Sequence, residues 1–470
     1  MSNLLDKANV YIATNKKNTK NHPKFHYTAP IGWINDPNGL CYFKGEYHLY
    51  YQYNPYGIHW DTMYWGHATS KDLIHWEHKP VALAPEEDYE RDGCFSGSAI
   101  EINDELYIMY TGHLDRNNRV RQNQNIAISQ DGLTFKKLEA NPVLKEIDLP
   151  KGSQPEDFRD PKVFEYKGSY WSVIVGRPKE QGGAVLLYRS DNLIQWDYVG
   201  IIAESDKGRE EIWECPDLFK LQDVDVLILS IIDLQETNMH PTIYKLGNVD
   251  LENSQGEWNY TRDLDCGFSF YAPQTFLDSK GRRIMIGWMS PWDADDAVRL
   301  ENGWAGMMAT PRVLSIEDGR LIQKPIEGID QLRQDKGEYI KEKVICNEGV
   351  SFDNISGQHF DLSFEVDISK ANSFTIELAK GKNNSTQLSY NVHRHEWIFD
   401  SNGIRKVQED DPKETLAFRV LMDRYSIEIF ADGGKRVFTA LIDPDEDARE
   451  IVFLSEGKTA LYNVEFYSLM

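Results

Sequence analysis

The sequence has few cysteines, no long apolar run and a deficit of positive charge. Five Cys in 470 residues, none in a Cys-x-x-Cys spacing, argue against a disulfide framework and a structural zinc site. A formal net charge of −24 opposes binding to nucleic acid or anionic lipid. No stretch reaches membrane-spanning length, and the first 20 residues lack the apolar segment of a signal peptide. These features predict a cytoplasmic protein with no nucleic-acid or membrane partner and no metal or cofactor, and they leave its oligomeric state open.

Length and aromatic content favour a two-domain, all-β protein. The chain is longer than one hydrophobic core ordinarily supports, so two domains are expected. Aromatic residues make up 12% of the sequence, including 12 Trp and 24 Tyr. Such flat side chains suit β-sheet packing and also the faces of sugar rings, so the composition is compatible with a small-molecule sugar partner.

A short motif of Ser, an Asp-containing turn, an apolar pair and an aromatic residue occurs three times, at Ser70–Trp76, Ser129–Phe135 and Ser190–Trp196. The acids at positions 72, 131 and 191 are 59 and 60 residues apart. Each copy follows an apolar strand, and two fainter units come after them. About four short strands per unit is typical of a propeller blade. The sequence therefore predicts a five-bladed β-propeller over residues 30–320.

Beyond residue 320 the pattern changes to strict alternation of polar and apolar residues, as in Phe360–Val366 and Tyr425–Phe430. Alternation with one polar face is typical of a β-sandwich. We therefore expect a leader at 1–29, the propeller at 30–320, a linker at 321–340 with a short helix at Gly328–Gln334, and a sandwich at 341–470.

The stretch Gly32–Leu40, GWINDPNGL, places Asp36 among turn-forming residues, and Asp36 could simply shape a loop. Alternatively, a stiff turn holds it at the mouth of a site, with Trp33 as an apolar wall. Asp36 lies just before the predicted first strand of its unit. The equivalent position in each later unit, here called the slot, holds Phe95–Ser98, Arg159–Pro161, Glu214–Pro216 and Phe270–Pro273.

The innermost strands of a propeller begin at one rim, so Asp36, Asp160 and Glu214 are predicted to converge there. Turn chemistry alone does not explain residues that differ in identity and share only their slot. Two carboxylates facing one another are the minimum for glycoside hydrolysis, and a third can hold hydroxyls and offset charge in the transition state.

The motifs GWINDPNG, FSGS, RDP, ECP and FYAPQ, followed by Gly303–Gly306 and Thr310–Arg312, together resemble glycoside hydrolase family 32, and the resemblance covers nearly the whole chain. It is greatest to the bacterial intracellular branch acting on sucrose or sucrose 6-phosphate. The resemblance implies retaining hydrolysis at fructose C2, with Asp36 as nucleophile, Glu214 as general acid/base, and Asp160 with Arg159 stabilising the furanose hydroxyls. The candidate substrate-binding residues are Asn35, Gln52, Trp60, Phe95, Ser96, Arg159, Tyr271 and Trp288.

Sucrose 6-phosphate would require basic residues near the rim, because a chain of this net charge repels a dianion. The loop Gly112–Asn123 lies between the second and third strands of its unit, where connections reach the active rim. The candidate phosphate-binding residues are Arg116, Arg119, Arg121, Arg177 and Lys179. The alternative is that they are solvated loop charges. Two other functions stay open: an exo-acting fructan hydrolase and an inactive carbohydrate-binding propeller.

Overall fold

A computed structural model describes residues 3–116, 119–178, 182–206, 211–234, 240–289, 301–334, 336–381, 385–401 and 403–470. The chain divides into two compact units, each described by itself below. The first comprises residues 1–21, 27–264 and 270–313, and the second comprises 22–26, 265–269 and 314–470. No pattern in the sequence indicates that the two short segments at 22–26 and 265–269 belong with the C-terminal part.

The first unit opens with a helix, Leu4–Asn15, in the segment predicted as a leader. Its N-cap is Asn3, whose side-chain oxygen accepts the N–H of Asp6 at 2.8 Å. Short 3-10 turns of this unit lie at Lys16–Asn18, Glu146–Asp148 and Pro155–Asp157. No helix in the described part of the chain combines the length and apolar character needed to cross a bilayer.

Five sheets make up the rest of the first unit and confirm the predicted five-bladed propeller. The first contains Gly32–Phe43, Glu46–Asn54, Tyr64–Ser70 and Trp76–Leu83, and the second Gly93–Ile102, Glu105–Arg116, Arg119–Ser129 and Lys136–Lys137. The third contains Arg159–Tyr166, Ser169–Gly176, Ala184–Ser190 and Asp197–Glu204, and the fourth Glu211–Leu221, Val224–Asp233, Thr242–Asp250 and Gln255–Asp263. The fifth contains Tyr271–Leu277, Arg283–Met289, Met307–Met308 and the beginning of Arg312–Glu317.

The repeated Ser motif forms the turn between the third and fourth strands of the first three sheets. In the first copy the Asp72 carboxylate accepts the backbone N–H groups of Ile74 and His75 at 3.0 and 2.8 Å. In the third copy this position is Asn192, not Asp191, so the spacing from Asp131 to its equivalent is 61 residues rather than the 60 counted from the sequence. These polar side chains therefore serve the turn itself.

The first strands of the five sheets contact one another in ring order and so are the innermost strands of the propeller. Each contains a register shift near its start, at Ile34–Pro37, Phe95–Gly97, Arg159–Lys162, Glu214–Asp217 and Tyr271–Gln274. The prediction that Asp36 precedes its strand is wrong, because the strand begins at Gly32 and Asp36 lies at the bulge. A bulge takes residues out of the ladder and re-aims their side chains.

Backbone strain marks three of these bulges. Asp160, Cys215 and Ala272 have φ values of 61°, 49° and 48°, and each precedes a proline. A non-glycine residue in this region costs about 1–3 kcal/mol and persists where its surroundings fix it. The same backbone strain therefore occurs at the bulges of three consecutive innermost strands.

The ring is closed by residues from both ends of the first unit. Trp304–Ala305 pairs in parallel with Gly32–Trp33 along the free edge of the first sheet. The N–H of Gly32 also donates to the carbonyl of Gly303 at 3.0 Å, and the N–H of Met308 donates to Tyr27 at 2.8 Å. The first sheet therefore has a fifth strand that comes from much later in the sequence.

The second unit contains the predicted β-sandwich. The strands of the sandwich are Glu338–Cys346, Gly349–Val350, Phe360–Lys380, Thr386–Asn391, Glu396–Ser401, Ile404–Glu409, Thr415–Asp423, Ser426–Ala431, Arg436–Leu441 and Glu450–Ser468. The strand Arg320–Pro325 pairs instead with Arg312–Glu317. The core of the sandwich includes Phe364, which stacks on Phe418 with ring centroids 4.7 Å apart. The helix predicted at Gly328–Gln334 is a 3-10 helix at Glu327–Leu332, and a second 3-10 turn follows at Asp432–Gly434.

A buried ionic cluster ties segment 22–26 to the strands of this unit. His26 Nδ1 lies 3.0 Å from Asp423 Oδ2, and its Nε2 lies 2.9 Å from Glu428 Oε1. Burial by itself would lower the pKa of His26, but the hydrogen bonds and charges of the two carboxylates outweigh it and raise the pKa to about 9.

Candidate active site

A cavity of about 540 Å³ opens where the bulges of the innermost strands meet. Its lining includes all of the residues predicted to be catalytic or substrate-binding, namely Asn35, Asp36, Gln52, Trp60, Phe95, Ser96, Arg159, Asp160, Glu214, Tyr271 and Trp288. The convergence follows from the fold, since the lining residues Asp36, Ser96, Arg159, Asp160, Glu214 and Tyr271 all lie at these bulges. A volume of this size suits a small sugar.

Asp36 is held by side-chain donors rather than by turn amides. The Ser96 hydroxyl donates to Asp36 Oδ2 at 2.5 Å, and the Asn35 amide donates to Oδ1 at 3.0 Å. The Trp33 indole N–H donates to the Asn35 side-chain oxygen at 2.8 Å and so fixes which way that amide points. Burial raises the pKa of Asp36 and the nearby charge of Glu214 adds to this, while the Ser96 and Asn35 donors oppose the rise. This contact pattern differs from that of Asp72, which accepts backbone groups of its own turn.

Cys215 connects Asp36 with Asp160. Its backbone N–H donates to Asp160 Oδ2 at 2.9 Å, and its sulfur lies 3.4 Å from Asp36 Oδ2 and 3.6 Å from Asp160 Oδ2. Burial and the surrounding carboxylates raise the pKa of the Cys215 thiol well above its usual value, so it stays a neutral S–H donor. Burial also raises the pKa of Asp160; Arg159 opposes this rise, and the charges of Glu214 and Asp36 add to it.

Glu214 accepts hydrogen bonds at both carboxylate oxygens. Arg159 donates to Oε1 from Nη2 at 2.9 Å and from Nε at 3.2 Å, while the Tyr271 hydroxyl donates to Oε2 at 2.6 Å. Burial alone would lower the pKa of Arg159, but the charges of Glu214, Asp160 and Asp157 outweigh it, so the guanidinium stays charged. Burial raises the pKa of Tyr271, which keeps its hydroxyl as a donor.

Aromatic rings form two walls of the cavity. Trp33 meets Trp288 edge to face with centroids 5.6 Å apart, and Trp60 meets Phe95 in the same way at 5.8 Å. Phe95 also stacks on His113 at 4.1 Å with the rings nearly parallel. Trp60 is 54% exposed, so it does not fill a core and is available to a sugar face. Burial lowers the pKa of His113 to about 4, which leaves the ring neutral near pH 7.

Six lining residues were missed from the sequence, namely His113, Val120, Gln122, Glu156, Asp157 and Ile232. The first three of these lie in Gly112–Asn123, the loop that also contains three of the candidate phosphate-binding arginines. In the strand Arg119–Ser129, Val120 and Gln122 face the cavity, while Arg119 and Arg121 each lie 3.3 Å from Glu146. Successive residues of a strand point to opposite faces, and applying that alternation would have selected the two uncharged residues.

The other phosphate candidates are also engaged elsewhere. Arg116 lies 3.9 Å from Asp88, and Arg177 donates from Nε to Asp157 Oδ2 at 2.7 Å. None of the four described arginines from the phosphate prediction lines the cavity. Lys179 lies outside the described residues.

Comparisons with known proteins match the chain over nearly its full length. Residues 26–325 match the family model for the glycosyl hydrolases family 32 N-terminal domain, and residues 328–468 match that for the glycosyl hydrolases family 32 C terminal.

Two similar proteins of Escherichia coli are a sucrose-6-phosphate hydrolase and a raffinose invertase. The first is 34% identical over 95% of this chain and 95% of its own, and the second is 36% identical over 94% of this chain and 93% of its own. A similar solved structure is the family 32 β-fructofuranosidase of Bombyx mori, determined as a mutant in complex with sucrose. It has a TM-score of 0.85 at 32% identity and covers 99% of this chain and 97% of its own.

Proposed function

The chain belongs to glycoside hydrolase family 32, and from that premise we propose that it cleaves the terminal β-D-fructofuranoside bond of sucrose or sucrose 6-phosphate, releasing fructose. The observation that carries the proposal is the meeting of Asp36, Asp160 and Glu214 with the guanidinium of Arg159 in one cavity. Opposed carboxyl groups across a sugar are what glycoside hydrolysis requires.

Asp36 is the proposed nucleophile. Its donors, Ser96 and Asn35, oppose the effect of burial and so favour the ionised form that attack requires. In the first step a carboxylate oxygen bonds to fructose C2 while the bond from C2 to the leaving oxygen breaks. The product of this step is a covalent fructosyl enzyme, which water hydrolyses in the second step with retained configuration.

Glu214 is the proposed acid in the first step and the base in the second. Both of its oxygens are acceptors in the present structure, so a contact with Arg159 or Tyr271 must be given up before one of them can present a proton to the leaving oxygen. Substrate hydroxyls entering beside Arg159 supply new acceptors for its N–H groups and so permit that exchange. After it has given up its proton, Glu214 is a carboxylate that the same donors stabilise. In the second step it takes a proton from the attacking water and returns to the acid form.

Asp160 is proposed to hold furanose hydroxyls together with Arg159. Its side chain lies on a strained residue and is fixed by the Cys215 N–H, which leaves its direction well defined. A preorganised negative charge beside C2 stabilises the positive charge that develops on the sugar in the transition state.

The leaving group is glucosyl or glucosyl 6-phosphate in this proposal, as the names of the two bacterial relatives suggest. Comparing kcat/KM for sucrose, sucrose 6-phosphate and a short inulin-type oligosaccharide separates these substrates from the exo-fructan alternative. We also propose a cytoplasmic location, since the five cysteines form no disulfide in the described part of the chain, as is usual in reducing compartments.

The central test compares Asp36→Asn and Glu214→Gln on sucrose and on an aryl fructoside. Asp36→Asn should lower kcat by several orders of magnitude on both substrates because no covalent intermediate can form. Glu214→Gln should impair sucrose far more than the aryl fructoside, whose oxygen leaves without protonation. Asp72→Asn, a carboxylate that serves an outer turn, is the matched control and should keep wild-type activity.

Three outcomes would contradict this assignment. Near-normal turnover by Asp36→Asn would exclude the covalent route. Equal losses on both substrates for Glu214→Gln would remove Glu214 from the acid role. A wild-type protein that binds sucrose without releasing fructose would be the carbohydrate-binding alternative.

A further inference from the structure

Arg159 uses two different edges of its guanidinium. The edge formed by Nε and Nη2 donates to Glu214, as described above. The remaining nitrogen, Nη1, points the other way, where it donates to the Glu156 carbonyl at 3.2 Å, to Asp157 Oδ1 at 3.4 Å and to the Gln122 side-chain oxygen at 3.5 Å. The three acceptors of Nη1, on the side away from Glu214, therefore fix the orientation of the Arg159 guanidinium.

Asp157 is the one charged acceptor among those three groups, and it is 5% exposed. Its second oxygen, Oδ2, accepts the Nε N–H of Arg177 at 2.7 Å. Arg177 is fixed in turn by Gln154, whose backbone N–H donates to the Arg177 carbonyl at 3.0 Å and whose side-chain oxygen accepts from the Arg177 guanidinium. A continuous chain of hydrogen bonds thus runs from Arg177 through Asp157 and Arg159 to Glu214.

We infer that Asp157 and Arg177 are positioning residues for the reaction, which act by holding the Nε and Nη2 edge of Arg159 on Glu214. The inference rests on the roles proposed above for Arg159 and Glu214. Asp157 anchors the far edge of Arg159, and Arg177 occupies the second oxygen of Asp157. Without Arg177, both oxygens of Asp157 would be available to Arg159 and would compete with Glu214 for the same guanidinium.

The test compares kcat/KM for sucrose with kcat/KM for an aryl fructoside. Asp157→Ala should lower kcat/KM for sucrose by about 10- to 100-fold, because small displacements of a substrate-contacting group have effects of that size. The loss on the aryl fructoside should be smaller, since its oxygen leaves without the proton that a correctly held Glu214 donates. Asp157→Asn keeps a side-chain oxygen for Arg159 and should recover most of the loss.

Variants of Arg177 test the inference independently of Asp157. Arg177→Gln should lower kcat/KM for sucrose selectively but by a smaller factor, and Arg177→Lys, which restores the charge beside Asp157, should recover part of the loss. The double variant Asp157→Ala with Arg177→Gln should be little worse than Asp157→Ala alone, because the two residues act through one contact. If Asp157→Ala does not fold, judged by circular dichroism, the Arg177 variants provide the same test.

The matched control is Arg189→Gln on the same blade, where Arg189 lies 3.5 Å from Asp191 and is half-exposed. It should leave kcat/KM for both substrates at wild-type values. Folded Asp157 and Arg177 variants that lose no kcat/KM, or lose it equally on both substrates, would overturn the inference, since a change in loop stability alone does not discriminate between leaving groups. Asp36→Asn and Glu214→Gln are measured in parallel on sucrose: full activity there would refute the proposed function. Their inactivity, together with Asp157 and Arg177 variants that treat the two substrates alike, refutes only this inference.

Discussion

Replacing Ser96 by Ala should move the acid limb of the kcat/KM profile upward by about one pH unit. The Ser96 hydroxyl donates to Asp36 at 2.5 Å and opposes the rise in the pKa of Asp36 that burial causes. Removing this donor raises that pKa further. Asp36 attacks only when ionised, so the variant needs a higher pH to reach the active form.

The size of the shift follows from the contacts. A hydrogen bond to a charged group contributes about 1.5–3 kcal/mol. One pH unit corresponds to about 1.36 kcal/mol, so complete loss of the bond would give a shift of about one to two units. Asn35 and Cys215 still donate to the same carboxylate, which favours the lower end of that range.

The assay is initial-rate hydrolysis of sucrose across the pH range in which the enzyme stays folded. Ser98→Ala is the control, because Ser98 is also buried on the same strand and its hydroxyl donates to the carbonyl of Pro161 at 2.7 Å. Two results would each refute the account: an unmoved acid limb in Ser96→Ala, or an equal shift in Ser98→Ala.

Two further predictions follow from the ion pairs. Changing Arg116, Arg119 and Arg121 together to Gln should alter KM for sucrose and for sucrose 6-phosphate by less than about twofold. The reason is that each side chain pairs with an acid outside the cavity. A rise in KM confined to the phosphorylated sugar would show that these arginines bind the phosphate. The pKa of His26 is raised to about 9, so its stabilisation is full below about pH 6.5 and is lost as the pH rises through 9. Thermal melts of His26→Gln should therefore depend less on pH between 7 and 9 than those of the wild type, and parallel curves would contradict this.

Much of the propeller and its carboxylate cluster could be predicted because the signals are local in sequence. The repeated Ser motif indicates one turn in each of the first three blades, and the residues near the start of each first strand occupy equivalent positions. Asp36, Asp160 and Glu214 could be grouped on that basis, although the bulges that aim them were not foreseen. A bulge depends on the register between two strands, which no single segment specifies.

The environment of Arg159 could not be predicted for a related reason. Asp157 lies only two residues before it and looks like an ordinary loop acid, while its partner Arg177 comes from the end of another strand. The arginines of the neighbouring hairpin do not line the cavity, and a shift of one residue exchanges the two faces of a strand. Arg119 and Arg121 were chosen for their charge, whereas Val120 and Gln122, which face the cavity from the same strand, are uncharged.

Closure of the ring by Trp304 also sets an order of events on the ribosome. Trp304 pairs with Gly32, 272 positions earlier in the chain. At about 5–20 residues per second, synthesis of the intervening segment takes about 14 to 54 s. During that time the strand bearing Asp36 has emerged with an open edge, and the proposed catalytic residues of the third and fourth blades are still being made. The proposed nucleophile is thus among the first parts of the propeller to leave the ribosome, and its surroundings are among the last to be completed.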